Sequence, residues 1–444
     1  MTRRVLGVAF LFLLATALPA SAQQWVAGWT GASHGPYPVG NPTAEPELKF
    51  AIPSAEQGAR DQTFRLIVKP DVWGPFARIR LSNVFGKKPV TFDTIYVGLQ
   101  DHGATVLPDT QAAVTFRDGR SVTIEPGKSR VSDPISLAFV KIPAEALLTG
   151  RKLAVSFHVA GESGPMTWHA KALTTSYISP PGSGAKSRGE TETAFPYSTT
   201  SWFFLDEVDM LPPRTSHTIV AFGDSITDGT ATTINGDDRW TDVLSRRLHT
   251  AYGDDFSVVN QGIGGNQVLG PADYAAKPTP GGPSALSRLD RDVISLPNVT
   301  TVIWLEGIND FGYTEASAAA VMDGFKQGVT KLRDKIPGVK VFAGTLTSAL
   351  HSTPTHGRPE VDQRRKELNR MIKESKLFDG VIDFDAATYD PATGEIKAEF
   401  QPNSSTGGPG DKLHPNRAGY AAMANAIDLR AITGRPLPGL MLPK

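Results

Sequence analysis

The chain has 444 residues, with 45 Lys and Arg residues against 45 Asp and Glu residues and a formal net charge of zero at pH 7. This balance, together with the lack of a strongly basic stretch, argues against a nucleic-acid partner, because phosphate contacts need clustered Lys and Arg. The chain contains no cysteine, which excludes disulfides, thiolate metal sites and a cysteine nucleophile.

The first 22 residues have the pattern of a secretory signal peptide. Arg3 and Arg4 precede the apolar run 5–18, and small residues up to Ala22 provide a cleavage site. The apolar run is short for a bilayer span, and no later segment approaches the roughly 20 apolar residues that a spanning helix needs. We therefore expect cleavage after Ala22 and a periplasmic or secreted protein that begins at Gln23 and has no stable membrane insertion.

Residues 23–205 show the pattern of short β-strands. Apolar and polar residues alternate in several segments, and Gly, Pro, Asn and Asp stand at the breaks between them. The segments are 64–70, 77–83, 113–118, 120–126 and 152–160. This pattern predicts an all-β sandwich or jelly-roll domain. A stretch rich in Pro, Gly, Ser and charge predicts a linker near residues 180–215.

Residues 216–435 show a different pattern, in which continuous apolar runs alternate with helix-like segments. The apolar runs are typical of strands buried on both faces, and they are 217–222, 256–261, 300–307, 340–346 and 380–384. Five such strands with helices between them predict an α/β domain with a doubly wound parallel sheet, in a flavodoxin-like three-layer arrangement. Ligands bind at the carboxyl ends of the strands in such sheets, so we expect the functional site there.

Two glycine-containing motifs follow the first two of these strands. Gly223, Asp224 and Ser225 come directly after the first strand, where glycine permits a tight exit and Ser225 is placed near a helix amino terminus that favours negative charge. The loop 260–266 follows the second strand, and its glycines can present backbone N–H groups to an oxyanion or a phosphate. Taken singly, each motif is also compatible with a plain turn.

Two further motifs carry an amide donor and an acid–base pair. Asn309 follows the third strand, and its neutral side-chain amide can stabilise an oxyanion without titrating. Asp411 stands three residues before His414, so a turn can bring the carboxylate to one ring nitrogen and leave the other free to accept a proton from Ser225. Taken singly, these motifs are also compatible with a turn and a helix cap.

Together, the four motifs resemble the SGNH, or GDSL, hydrolase superfamily, whose four blocks contain a Ser, a Gly, an Asn and a His. The resemblance covers roughly residues 216–430. It implies that Ser225 is the nucleophile and that His414 and Asp411 complete a catalytic triad. It also implies an oxyanion hole made by the Ser225 N–H, Gly265 and Asn309.

The second block leaves one alternative open, because Gly264 and Gly265 are adjacent. The amino-terminal half is similar to the β-rich domain that precedes the SGNH domain in some bacterial secreted esterases. The resemblance implies a serine ester hydrolase that cleaves short, acetyl-like esters of a small molecule or a polysaccharide. We expect no cofactor, and the histidines lack the spacing of a metal-binding motif. A lipase or lysophospholipase, or a catalytically silent carbohydrate-binding protein on the same scaffold, remains an alternative.

Several other residues have competing interpretations. The stretch 270–283 is the expected cover of the cleft, and it lacks the amphipathic helical period of a lipase lid. His351 and His356 lie in a loop after a strand, either on the surface or within reach of the cleft. Asp383 and Asp385 are expected to cap or turn the chain rather than act as a catalytic pair. We expect the tryptophans of the first half to pack in the core: Trp25, Trp29, Trp73, Trp168 and Trp202.

Overall fold

The computed structural model describes residues 24–438, apart from the side chains of residues 145 and 146. The predicted signal peptide, residues 1–22, lies outside the described residues.

The amino-terminal domain is built from antiparallel strands, which are β1 (Val26–Thr30), β2 (Gly35–Pro36), β3 (Arg60–Val68), β4 (Phe76–Ser82), β5 (Val90–Leu99), β6 (Ala112–Ala113), β7 (Ser121–Ile124), β8 (Ser129–Val131), β9 (Ile135–Ser136), β10 (Leu153–Glu162), β11 (Thr167–His169), β12 (Ser176–Ile178), β13 (Tyr197–Thr199), β14 (Trp202–Phe203) and β15 (Leu205–Leu211).

Two larger antiparallel sheets face each other across one apolar core. One has the order β1-β15-β4-β8 and the other β13-β12-β3-β10-β5-β6, and β14-β11-β2 form a small third sheet. Phe64 and Leu66 of β3 and Ile79 and Leu81 of β4 are fully buried in this core, as alternation along each strand requires. The prediction of a β-rich antiparallel domain is thus confirmed.

The tryptophans of this domain belong mainly to its core. Trp29, Trp73, Trp168 and Trp202 are all buried, and Trp29 and Trp202 pack edge to face with ring centroids 4.7 Å apart. Trp25 is partly exposed, and the Arg78 guanidinium lies 4.7 Å from its ring centroid. The prediction that these tryptophans pack in the core, rather than stack on sugars, is therefore confirmed for the four buried residues.

The linker predicted near 180–215 is shorter than expected. Strands β13, β14 and β15 lie within it, and β15 is paired on both sides, with β1 and with β4. Its sequence LDEVDML contains three acidic residues, which interrupt the alternation of apolar and polar residues that marks a strand. Two of them are neutralised in place, because Glu207 pairs with Arg80 at 2.6 Å and Asp209 with Arg78 at 2.6 Å.

The carboxy-terminal domain contains a five-stranded parallel sheet of order β17-β16-β18-β19-β20. Its strands are β16 (His217–Gly223), β17 (Phe256–Gly262), β18 (Val299–Leu305), β19 (Lys340–Gly344) and β20 (Gly380–Ile382). The α-helices are α1 (Ser225–Asp228), α2 (Trp240–Tyr252), α3 (Ala285–Leu289), α4 (Ile308–Tyr313), α5 (Ala318–Lys335), α6 (Pro359–Glu374), α7 (Phe384–Thr388), α8 (Arg417–Asn425) and α9 (Leu429–Thr433).

Both faces of this sheet are covered, as the continuous apolar strands require. Val302 and Trp304 of β18 pack on one face with Phe325 of α5. Ile303 and Leu305 of the same strand point to the other face, into a cluster that includes residues of α2 and α8. The predicted doubly wound α/β fold is therefore confirmed, with the strand order of a flavodoxin-like sheet. Within residues 24–438, no helix is both long enough and apolar enough to cross a bilayer.

Strand β1 joins the two domains. On one side it pairs with β15, and at its other side the Ala27 N–H lies 3.2 Å from the Thr218 hydroxyl while the Ser257 hydroxyl donates to the Ala27 carbonyl at 2.6 Å. Asp71 of the amino-terminal domain accepts a hydrogen bond from the Val258 N–H at 2.6 Å. These contacts place the β domain directly beside β17, at the edge of the parallel sheet.

A buried guanidinium holds the carboxyl ends of β16 and β17 together. Arg288 of α3 is fully buried and donates to the carbonyls of Gly223 and Gln261 at 2.9 and 2.8 Å. It also donates to Asn266 Oδ1 at 2.8 Å and to the Asp292 carboxylate at 3.0 Å. Three of these acceptors, Gly223, Gln261 and Asn266, lie at or next to the sheet edge where the site is expected.

Arg288→Met should destabilise the protein strongly, because it leaves these buried acceptors without their donor. Loss of one partner of a buried charged network typically costs about 3–5 kcal/mol, which corresponds to a fall of roughly 6 °C or more in melting temperature for a domain of this size. Thermal unfolding followed by circular dichroism measures this. Arg370→Met, at an exposed Arg370–Glu374 pair, is the matched control, and equal melting temperatures for the two variants would contradict the role of Arg288.

Candidate active site

Ser225 lies where β16 turns into α1. Gly223 ends the strand so close to β18 that a Cβ there would lie 2.1 Å from the Leu305 carbonyl oxygen, so only glycine fits. Asp224 then caps α1, because its carboxylate accepts the Ile226 N–H at 3.0 Å. Burial raises the pKa of Asp224 to about 7. Ser225 is thus held as the first residue of the helix, and Asp224 serves as its cap.

His414 and Asp411 form a hydrogen-bonded chain with Ser225. The His414 Nε2 atom lies 2.8 Å from Ser225 Oγ, and Nδ1 lies 2.6 Å from Asp411 Oδ2. An ionised carboxylate only accepts hydrogen bonds, so Nδ1 carries the proton and Nε2 accepts from the serine hydroxyl. The sequence motif predicted this turn, in which Asp411 Oδ1 also accepts the N–H groups of Leu413 and His414, each at 2.9 Å.

The electrostatics of the turn keep Asp411 ionised. Burial by itself would raise its pKa, but the hydrogen bond and charge of His414 and the two backbone N–H donors outweigh burial and hold the pKa of Asp411 well below its ordinary value. A negative carboxylate beside Nδ1 favours the imidazolium that forms when His414 takes a proton. The arrangement can therefore act as a general base toward Ser225.

The two adjacent glycines of the second motif have different hydrogen bonds. The Gly264 N–H donates to Asp228 Oδ2 at 2.9 Å, and the Gly264 carbonyl accepts from Asn41 Nδ2 at 3.1 Å. Gly265 has a φ of +86°, and among residues 24–438 its N–H has no hydrogen-bond acceptor. Because the Gly264 N–H is already used, the geometry favours Gly265 as the donor toward the pocket.

Asn309 is held with its amide oriented toward the same pocket. Its Nδ2 donates to the Asn266 carbonyl at 2.9 Å, and its Oδ1 lies 3.0 Å from His356 Nε2. Burial, and then the charge of His414, lowers the pKa of His356 to about 4, so this ring is neutral near pH 7 and donates through Nε2 to the amide oxygen. One N–H of the Asn309 amide therefore remains for another acceptor.

A pocket of about 270 Å³ joins these residues. It is lined by the five site residues predicted from the sequence, which are Ser225, Gly265, Asn309, Asp411 and His414. Its other lining residues are Asn41, Lys171, Gly264, Tyr313, Thr353, Thr355, His356 and Leu413. Asn41 and Lys171 come from the β domain, and the sequence motifs gave no signal for them.

The structure distinguishes between the alternatives that the sequence left open for two histidines and two aspartates. His356 is buried and lines the pocket, whereas His351 is exposed and pairs with Glu395 at 2.8 Å. Asp383 caps α7 through the Ala386 N–H, and Asp385 pairs with Arg365 at 2.8 Å. The expected cap role is therefore confirmed for Asp383, whereas Asp385 forms an ion pair instead.

The structure does not place the stretch 270–283 over the cleft, where the sequence predicted it. None of its residues is among those that line the pocket. Tyr274 instead inserts against the β domain, where its hydroxyl donates to the His34 carbonyl and its ring packs edge to face on Phe85. Burial of Tyr274 in that contact holds the segment beside the site rather than over it.

His356→Leu should lower kcat by roughly tenfold while changing KM little, because it frees the Asn309 amide from its orienting donor. His356→Gln can place an amide N–H near the position of Nε2 and should restore part of kcat. Steady-state kinetics on p-nitrophenyl acetate measure both values. His351→Leu is the matched control outside the pocket, and a His356→Leu enzyme with unchanged kcat would contradict the positioning role.

Comparisons with known proteins identify a family match for the carboxy-terminal part of the chain. Residues 221–422 match the GDSL-like Lipase/Acylhydrolase family. The search of curated proteins found no match. Similar solved structures include an aryl esterase from M. smegmatis, which is 21% identical, covers 48% of this chain and 96% of its own, and has a TM-score of 0.37. A carbohydrate acetylesterase family member from Sinorhizobium meliloti is 17% identical, with 49% and 100% coverage and a TM-score of 0.38.

The family match spans β16 to α8 and includes all four motifs and every residue of the hydrogen-bonded chain. Residues 221–422 therefore form a GDSL-like lipase/acylhydrolase domain, and this match supports carboxylic ester hydrolysis as the activity.

Proposed function

We propose that the chain is an exported serine esterase that cleaves short, acetyl-like acyl esters through an acyl-enzyme, with a small molecule or a polysaccharide hydroxyl as the alcohol. Export is inferred from the signal-peptide pattern of residues 1–22, and the amino-terminal residue of the exported protein, expected to be Gln23, is its direct check. The observation that carries the catalytic proposal is the chain of hydrogen bonds from Ser225 through His414 to Asp411, at 2.8 and 2.6 Å.

In the first step, Ser225 Oγ attacks the ester carbonyl carbon. His414 Nε2 accepts the hydroxyl proton as the Oγ–C bond forms, and the carbonyl π electrons move onto the oxygen. Asp411 stays ionised and stabilises the imidazolium. The N–H groups of Ser225 and Gly265 and the free N–H of Asn309 are the donors proposed for the resulting oxyanion.

The intermediate then collapses to the acyl-enzyme. The carbon–oxygen bond to the alcohol breaks, and His414 gives its proton to the leaving oxygen. Water next attacks the acyl carbon with His414 as base, and the acid is released as Ser225 recovers its proton. These steps need only the described side chains and water.

The lining of the pocket supports a preference for short acyl groups. Apart from Tyr313 and Leu413, the lining side chains are polar, charged or glycine, and Tyr313 is 54% exposed. A long acyl chain gains about 0.8 kcal/mol per methylene only when an apolar channel buries it. The lining residues provide no such channel, which favours an esterase over a lipase or lysophospholipase.

Ser225→Ala should reduce hydrolysis of p-nitrophenyl acetate by roughly a thousandfold or more while the protein stays folded, because the substitution removes the nucleophile and little volume. Ser287→Ala, at an exposed serine of the same domain, is the control and should retain wild-type turnover. Substantial turnover by a purified Ser225→Ala enzyme, free of contaminating esterase, would refute the assignment of the nucleophile.

The specificity constant for p-nitrophenyl esters should be highest between acetyl and butyryl and should fall as the acyl chain lengthens, because the added methylenes stay in water. A series from two to twelve carbons, measured below the micelle-forming concentration of each ester, tests this. A maximum at eight carbons or beyond would favour the lipase alternative.

A further inference from the structure

Lys171 is a buried cation at the edge of the catalytic pocket. It follows β11 of the amino-terminal domain, is only 6% exposed, and lines the pocket together with Ser225. Its Nζ donates to the Thr43 hydroxyl at 3.2 Å. An ammonium group has three N–H donors, so Thr43 leaves donors available toward the pocket.

Among residues 24–438, no carboxylate oxygen lies within 4 Å of the Lys171 ammonium. Burial lowers the pKa of Lys171, and the more distant charges of Asp228 and Asp411 oppose that effect. Both carboxylates are engaged elsewhere. Asp228 accepts the Gly264 N–H at 2.9 Å, and Asp411 is bonded to His414. Burying a cation without a counter-ion in contact is unfavourable for stability, which argues for a functional reason.

The position of Lys171 places its charge beside the glycine loop of the pocket. A Cβ added to Gly264 would lie 3.2 Å from Lys171 Cε and 3.6 Å from Nζ. Gly264 immediately precedes Gly265, whose N–H is the proposed oxyanion donor. The carboxylate of the pocket, Asp411, is already bonded to His414. Lys171 is therefore the pocket-lining cation that remains for a negative group of a bound substrate.

We propose that Lys171 forms an anion subsite and that the preferred substrate is a short acyl ester with a carboxylate close to the ester bond. The inference rests on the proposed esterase function and narrows its substrate class. The carboxylate can belong to the acyl group or to the alcohol, since both parts of an ester lie near the oxyanion position during attack. A charge-assisted hydrogen bond of this kind changes affinity by roughly tenfold or more.

Two matched pairs of esters show whether the carboxylate belongs to the acyl group or to the alcohol. 4-Acetoxybenzoate and its methyl ester differ by a carboxylate on the alcohol side. The p-nitrophenyl monoester of succinic acid and p-nitrophenyl butyrate differ by a carboxylate on the acyl side. The measured quantity is the ratio of kcat/KM for the charged ester to that for the neutral ester, after subtraction of spontaneous hydrolysis. We expect at least a tenfold preference for the charged ester in one pair, and that pair identifies the side.

The preference should disappear in Lys171→Met and persist in part in Lys171→Arg. Lys88→Met, at an exposed lysine of the same domain, is the control and should keep the wild-type ratio. A preference that survives in Lys171→Met would place the anion elsewhere and overturn the proposal. An equal loss of activity on charged and neutral esters in that variant would also overturn the proposal. Lys171 would then stabilise the oxyanion or hold Asp228 in place rather than bind a substrate carboxylate.

The wild-type enzyme provides a test that needs no folded variant. Equal specificity constants within both pairs would overturn the anion subsite while leaving the esterase function intact. Failure to hydrolyse any of the four esters would instead count against the proposed function, so the two failures are distinguishable.

Discussion

The buried guanidinium of Arg288 is the interaction on which the geometry of the site depends. It bonds the last residues of two neighbouring strands through the carbonyls of Gly223 and Gln261, and it holds the side chain of Asn266. The carbonyl of Asn266 in turn accepts the amide of Asn309. One cation thus connects the strand that leads into Ser225, the glycine loop and the amide donor, which come from three separate segments of the chain.

The amino-terminal domain contributes directly to this geometry. Asn41 donates to the Gly264 carbonyl, which belongs to the same peptide unit as the Gly265 N–H, so it fixes the direction of that donor. On the other side of Gly264, the Asp228 carboxylate accepts its N–H, and His169 Nε2 lies 3.2 Å from Asp228 Oδ1. Because the peptide is planar, these contacts together orient the N–H that faces the pocket. The β domain is therefore part of the structure of the candidate active site.

Local sequence patterns were sufficient for the part of the site that lies at strand ends. Ser225, Gly265 and Asn309 each follow an apolar strand, and parallel strands bring their carboxyl ends to one edge. Asp411 and His414 are three residues apart, so a single turn brings them together. The same reasoning gave the α/β sheet and the antiparallel β domain, because burial on one or both faces leaves a clear period in the sequence.

The remaining features depend on contacts between distant residues, which leave no local period. Asn41 reaches Gly264 across 223 residues, and His356 reaches Asn309 across 47. Strand β15 lies within the predicted linker, and two of its acidic residues pair with arginines of β4 inside the fold. In each case a polar residue is held by a partner that the local sequence does not reveal.

We propose that Ser225, Gly265 and Asn309 act on one oxyanion and that His414 is the base for Ser225. The most direct measurement is a crystal structure of the enzyme after reaction with a small organophosphate such as diethyl p-nitrophenyl phosphate, whose phosphoryl oxygen occupies the oxyanion position. We expect a phosphorus–oxygen bond to Ser225 Oγ and a phosphoryl oxygen within hydrogen-bond distance of the Ser225 and Gly265 N–H groups and of Asn309 Nδ2. A phosphoryl oxygen that faces solvent, or a bond to another residue, would contradict it.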